Sequence, residues 1–516
     1  MSNNSYKINV KGHQLNLMQK IGLGIGSIGL VILILSILGM VQSSGLMLTV
    51  ALLSMSFGIV IYSINQYKGL PIGIKNNGNW FGSISSKGVL AWITGVILTG
   101  FYIFLYWYPQ YLGLGKDGAT NTSIIGFFDP LSMFLKGKPA SEWFIYGVLY
   151  TLAILGFGFK FILKYKHNKY QQLRTISVMF FQLAFAFLLP EILQGLNQPY
   201  YNFANMWPLN YYFFDKWHVN GLLSTSNISL FMFAFGLAMI FLISPFLTYK
   251  YGKRWYCSWV CGCGGLAETA GDSFRHLSDN SLKSWKIERW SIHIVLAMSF
   301  IMTIAVVGTY LSEMKNSAWI TRSQFMYAII VFLVLFVAIL FKYRGERLNK
   351  DEKYGILGIA ALVIVLIIMN QFSGQGNNIF FKDSYTLRKW YGFAIGSAFS
   401  GVIGVGFYPI LGSRVWCRFG CPMAAVLGIQ QKFFSKFRIT TNGGQCISCG
   451  NCNTYCEMGI DVRSYAQKGQ DIVRASCVGC GVCSAVCPRG VLRLENGSVD
   501  LDVRTDAFRN IHIVQE

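Results

Sequence analysis

Charge is scarce in this sequence. Only 13% of its 516 residues are Asp, Glu, Lys or Arg, where an ordinary soluble chain carries roughly a quarter. Mean hydropathy is positive. Together these exclude a soluble globular protein of this length. Acidic residues are the rarer sign, 22 against 44 basic ones, for a net charge of +22. In a membrane chain such an excess marks basic cytoplasmic loops rather than nucleic-acid binding, so no nucleic acid is expected as a partner. Histidine is sparse, with six residues in the chain. There is no Cys-x-x-Cys-His and no facing histidine pair within an apolar run, so haem is not expected. Also missing are cysteines outside cysteine motifs. All thirteen fall inside such motifs, which argues for a reducing compartment and metal ligation rather than disulfides.

What the chain has in abundance is apolar sequence. Runs long enough to cross a hydrocarbon core of ~30 Å occur about ten times, near 21–41, 46–64, 89–108, 141–163, 175–193, 228–248, 291–311, 323–342, 354–372 and 390–410. The first is too long for a signal peptide and lacks a small-x-small cleavage site, so it reads as a retained helix. With the N-terminus cytoplasmic, the inner loops 65–88, 164–174, 249–290 and 343–353 carry the dense Lys and Arg. The outer loops are poorer in basic residues, and the loop 194–227 is aromatic. An even number of spans places both termini in the cytoplasm. The layout is a cytoplasmic segment 1–20, a polytopic helix bundle 21–412, a juxtamembrane linker 413–441 and a C-terminal module 442–516.

That module carries Cys446-x2-Cys449-x2-Cys452-x3-Cys456 and Cys477-x2-Cys480-x2-Cys483-x3-Cys487-Pro488. The spacing is that of a two-cluster [4Fe–4S] ferredoxin, in which the fourth cysteine of each run ligates the other cluster. Cys446, Cys449, Cys452 and Cys487 are assigned to cluster I. Cys477, Cys480, Cys483 and Cys456 are assigned to cluster II. Glu457 stands where the second run has Pro488, which is expected to loosen one turn without removing a ligand. Segments 490–494 and 498–503 alternate about Asn496-Gly497 and predict a closing hairpin. The basic amphipathic stretch Gln430–Thr441 predicts a segment lying on the membrane.

Two shorter pairs repeat further upstream. Arg254-Trp-Tyr-Cys257-x3-Cys261 follows the sixth apolar run, and Arg414-Val-Trp-Cys417-x3-Cys421-Pro422 follows the tenth. Each has an arginine three residues before its first cysteine and a proline (Pro245, Pro409) upstream, the mark of an internal repeat. Cysteines at i and i+4 share a helix face. Two such pairs supply four thiolates, enough for a further iron–sulfur cluster or a copper or thiol relay, with structural burial the remaining reading. Cys263 is an odd fifth thiol and a candidate substitute ligand.

These residues resemble the membrane polyferredoxins of the NapH and NosR type. The likeness rests on Cys257-Ser-Trp-Val-Cys261, on Cys417-Arg-Phe-Gly-Cys421-Pro422 and on the two four-cysteine runs. It implies an α-helical membrane protein of about ten transmembrane helices with a small α+β ferredoxin domain, integral to a bacterial inner membrane. It further implies electron transfer in support of a periplasmic reductase system or its maturation. The chain departs from that pattern in lacking a sizeable extracytoplasmic domain, and its first pair lacks the proline. The Asp117–Ser123 stretch partly resembles the Ser-Gly-Ala-Thr-x-Thr site of covalent FMN. If the likeness is genuine, Thr120 is the attachment residue; a polar loop with a glycine turn is the plainer reading, and FMN is not expected. Glu191 and His218 are candidate proton acceptors for a quinone, and His293 is an interfacial anchor. Three functions stay open: an electron-transfer component linking a quinone or cytoplasmic donor to a partner redox subunit, a copper-reducing assembly factor, and a transporter with a redox-sensing ferredoxin.

Overall fold

The computed structural model describes residues 15–496 apart from 42, 68–83, 117–118, 225, 253, 315–319, 349, 373–377, 380–381 and 443–444. Among these, nine helices are long and apolar enough to cross a membrane. They are α1 (Leu17–Ile37), α2 (Gly45–Gln66), α3 (Val89–Trp107), α4 (Glu142–Lys164), α5 (Lys169–Gly195), α6 (Asn227–Tyr251), α7 (Leu282–Met314), α8 (Arg322–Tyr343) and α9 (Lys350–Phe372). The chain is therefore an integral membrane protein, rich in helix because lipid leaves backbone groups no partner but each other.

The tenth apolar run is not one regular helix. Ser384–Tyr391 is α-helical, Gly392–Gly406 winds as a wide π-helix, and Tyr408–Leu411 closes it with Pro409 in its first turn. The helix α6 repeats the pattern on a smaller scale, with π turns at Met239–Ile243 followed by Ser244–Tyr251 and Pro245 in its first turn. A proline removes a backbone donor and crowds the preceding turn, and widened turns upstream are one way to absorb that.

Charged contacts sort the loops onto two ends of the bundle. At one end Lys164 pairs with Asp272 at 2.6 Å, Arg289 with Asp351 at 2.8 Å and Lys432 with Glu352 at 2.7 Å. His276 Nε2 meets the Ser85 carbonyl there at 2.9 Å. These contacts gather the loops expected to lie inside. At the other end Lys136 pairs with Glu191, Lys216 with Glu313 and Arg388 with Asp215.

The ferredoxin module sits on the first of these ends. Its sheet is two-stranded and antiparallel, β3 (Phe437–Thr441) against β4 (Leu492–Asn496), with Phe437 opposite Asn496 and Thr441 opposite Leu492; β1 (Asn378–Ile379) and β2 (Lys382–Asp383) form a separate short pair. The strand after Cys487 pairs with 437–441; its expected hairpin partner 498–503 lies outside the described residues. One expectation is corrected. The basic stretch 430–441 is not a membrane-lying unit, because its helix ends at Phe434 and its remainder is a strand of the ferredoxin.

Gly252 and Gly412 end the two proline-bearing helices with φ of 58° and 91°, backbone that favours glycine. Both sit five residues before the first cysteine of a pair. A Cβ on Gly252 would collide with Ser435 Oγ and Phe437 Cβ, at the root of the ferredoxin sheet. We expect Gly252→Ala to destabilise the protein by about 2 kcal/mol or more, from φ strain plus overpacking. A lowered melting midpoint of the purified protein checks this.

Candidate iron–sulfur relay at the membrane surface

Every cysteine except Cys449 belongs to, or packs against, one continuous hydrophobic core that runs from the bundle into the ferredoxin module. Cys449 is exposed. The thiols thus grade from the surface inwards.

At the outermost position, Cys446, Cys449, Cys452 and Cys487 line one pocket. Gly450, at φ 79°, turns the chain there into the short helix Asn451–Thr454 that carries Cys452. Gly481, at φ 71°, does the same before Val482–Ala485 and Cys483. Cys456, Cys477, Cys480 and Cys483 are close enough to repel one another as thiolates, and burial together with that repulsion pushes the Cys456 thiol up to about 12. Among the described residues no three Cys, His, Asp or Glu side chains converge tightly enough to hold a single ion. A cubane binds one thiolate at each corner, so its ligands stand farther apart than those of one ion. The sulfur-only donor set and the pocket among the first four thiols fit such a cluster.

The upstream pairs are brought together as well, in a form the i, i+4 argument missed. Neither pair lies on a single helix. Cys257 is in Trp255–Trp259 and Cys421-like Cys261 caps the next helix, Gly262–Thr269. Cys417 is in the wide turn Trp416–Gly420 and Cys421 caps Pro422–Phe434, with Pro422 at the first helical position where its missing N–H costs nothing. In both, the second cysteine donates its N–H to the residue before the first: Cys261 to Tyr256 O at 2.9 Å, Cys421 to Trp416 O at 3.0 Å. Each capping sulfur also receives backbone N–H groups, from Cys263 and Gly264 at Cys261 and from Ala424 at Cys421. Helix N-termini favour a thiolate for this reason.

The repeated arginines lock the pairs to each other. Arg254 donates to the Cys417 carbonyl at 3.1 Å, and Arg414 donates to the Cys257 carbonyl at 3.3 Å. Each repeat thus holds the first cysteine of the other. Burial and neighbouring thiols push the Cys257 and Cys421 thiols up. Cys261 is held down, at about 7, chiefly because the Cys263 thiol donates to it. Cys263 is therefore a neighbour of this centre and not merely a spare residue.

Arg254 reaches outward too, donating to the Ala475 carbonyl at 3.0 Å. Gln431, on the helix capped by Cys421, donates to Arg474 O at 3.1 Å and Cys477 O at 3.0 Å. From α5, Tyr170 donates to Gly479 O at 3.0 Å and Gln171 to Cys480 O at 2.6 Å. The second cysteine run is thereby docked directly beside the membrane pairs.

Beneath it lies a buried ionic network. Glu457 accepts ion pairs from Arg275 at 2.9 Å and Arg414 at 2.8 Å, contacts that are close but not aligned as hydrogen bonds. Glu268 is paired with Arg174, with Arg275 and, at 3.7 Å, with Arg414. All five of these side chains are buried. Burial alone would raise the Glu457 carboxyl, but Arg275 and Arg414 outweigh it and hold it below its usual range. Glu457 does not loosen a turn, as its place after Cys456 suggested; it anchors the ferredoxin to the bundle. Its partners are remote in sequence, so spacing could not reveal them.

Other candidates part from the site. Glu191 is tied to Lys136 at 3.0 Å, and His218 Nδ1 meets the Phe213 carbonyl at 3.0 Å, both at the far end of the bundle. His293 Nδ1 meets the Arg289 carbonyl one turn back. Thr120 is exposed in a loop ordered by its neighbour Asn121, which bonds Asp129, Ala140 and Gly115.

A feature unseen in the sequence lies on the membrane side. Cys263 is within electrostatic reach of Tyr102, Tyr146 and Tyr150. Tyr150 and Tyr146 rings are 5.3 Å apart, Tyr146 and Tyr102 6.3 Å. Tyr146, Tyr150 and Cys263 are each partly buried, and Gln182 Oε1 and the Tyr150 ring both flank Gly262, the residue before Cys263.

Comparison with known proteins agrees with this partition. The family described as "4Fe-4S dicluster domain" matches residues 445–492. The chain carries a two-cluster ferredoxin domain. The family described as "4Fe-4S binding domain" matches twice, at residues 233–279 and 393–440, each match centred on one Cys-x3-Cys pair. A protein of Escherichia coli (strain K12) named as an electron transport protein, YccM, is 37% identical over 54 residues, 10% of this chain and 15% of that protein. No solved structure matches.

The network gives a sharp expectation. Glu457→Gln removes one carboxylate from two buried guanidinium groups, leaving Glu268 and Asp272 to balance them, and should cost about 3 kcal/mol. Glu457→Pro, which makes the first run resemble the second, should cost as much. Limited proteolysis of the ferredoxin module in the intact protein checks both.

Proposed function

We propose that the chain is a membrane-bound iron–sulfur electron-transfer protein with three [4Fe–4S] centres. Cluster I is held by Cys446, Cys449, Cys452 and Cys487, cluster II by Cys477, Cys480, Cys483 and Cys456, and the third by Cys257, Cys261, Cys417 and Cys421. Each such centre supplies a reversible one-electron change. The single observation that carries the reading is that twelve of the thirteen cysteines share one core, from the ferredoxin to the upstream pairs, with Cys449 exposed outside it. The protein's part is positional: Arg254 and Gln431 hold the second run against the pairs, and burial keeps water from them. The basic loops on that end support a cytoplasmic side for it and for the ferredoxin.

On the membrane side the partner is a quinone bound beside Tyr102, Tyr146, Tyr150 and Gln182, the last two meeting at Gly262. Phenol and amide donors suit its two carbonyl oxygens, and Cys263 links this group to Cys261 of the third centre. The likeness to the NapH and NosR type then makes a partner reductase system, or its maturation, the destination. Copper handling is the second reading, since thiolates also suit Cu(I); the match of both pairs to a family described as "4Fe-4S binding domain" favours the cubane.

Anaerobically purified protein should contain about twelve iron and twelve acid-labile sulfide per chain, falling to about eight in Cys417→Ser. About eight in the wild type, with copper bound at the pairs, would favour the second reading. Tyr150→Phe with Gln182→Leu should raise KM for a short-chain quinol about tenfold with iron content unchanged, a loss of about 1.4 kcal/mol in binding.

A further inference from the structure

We propose that the face of the ferredoxin module around Cys449 is the docking surface for a soluble, acidic one-electron carrier protein. The proposal rests on cluster I being present and adds its partner. Cys449 is the one exposed cysteine, and a ligand sulfur at the surface is where tunnelling distance to a docked protein is shortest. Beside it Ile447 is 56% exposed, an apolar contact with no cover among the described residues. Arg463 and Arg489 line the same pocket, both exposed, and no acidic residue lines it. Lys468, also exposed, ends the helix Val462–Gln467, whose Gln467 donates to Ser448 Oγ at 2.7 Å. Asp461, the half-buried acid that precedes that helix, accepts from Asn453 at 2.6 Å and from the Ser464 backbone as a helix cap.

An apolar centre within a basic rim is the electrostatic complement of an acidic carrier, and such rims govern encounter and orientation. The opposite sign holds for a basic carrier, which the same arginines repel. Each encounter exchanges one electron between the carrier and the chain, with no bond made or broken and no proton required.

The test uses the full chain in nanodiscs of zwitterionic lipid and a strongly acidic [2Fe–2S] ferredoxin as probe. Binding is measured by biolayer interferometry at low and high salt, and electron exchange by stopped flow. Binding should weaken as salt rises. Arg463→Glu with Arg489→Glu should lower the association rate about tenfold or more, with iron content and reduction by dithionite unchanged. Equal binding by the wild type and the double variant, salt-independent binding, or equal binding of a basic cytochrome would overturn the proposal. Iron missing from the wild type would instead refute the cluster assignment, an outcome read separately from the binding data.

Discussion

A guanidinium group sealed away from water must meet a counter-charge, and in this chain that requirement fixes where the redox module sits. Arg414 comes from the second membrane repeat, Arg275 and Glu268 from the loop between α6 and α7, and Glu457 from the ferredoxin. Arg414 and Glu457 find their partners only in other segments, while Arg275 joins Glu268 and Asp272 of its own loop to Glu457 of the ferredoxin. Pairing of this kind contributes little net stability, because desolvation offsets most of the attraction, yet removing a single member is costly. Its effect is therefore to specify one arrangement: two helix repeats, their loop and the ferredoxin closed around shared charges.

That closure explains how thiols from three parts of the chain come to share a core. The two Cys-x3-Cys segments are related by more than their cysteines. Each has a glycine in left-handed backbone, an arginine that reaches the other segment, a wide turn and a capping second cysteine. The reciprocal arginine bonds make the pair a unit, with neither half complete alone. Gly252 and Gly412 end the proline-bearing helices, and the unit forms just beyond them.

Much of this was legible in the sequence, for reasons that differ by element. The apolar runs are read from length alone, and the ferredoxin from cysteine spacing that a cubane imposes. The arginine at a fixed offset from each pair was visible as a repeat, but its purpose was not, because its acceptor is a carbonyl in the other repeat. Glu457 was misread because local comparison with Pro488 was the available guide, while its partners come from distant loops. The strand 437–441 was hidden by its basic, aromatic composition, which equally suits a membrane surface. The tyrosine group beside Cys263 depends on α3 and α4 meeting, which no single stretch announces.

The central claim is that Cys257, Cys261, Cys417 and Cys421 hold a third cluster in line with the other two. A cryo-electron microscopy map of the anaerobically purified protein tests it most directly. The account predicts three compact densities of cluster size, the innermost bounded by the two helix-capping cysteines and crossed by the Arg254 and Arg414 bonds. Two densities only, with those four thiols packed side by side as ordinary core residues, would contradict it.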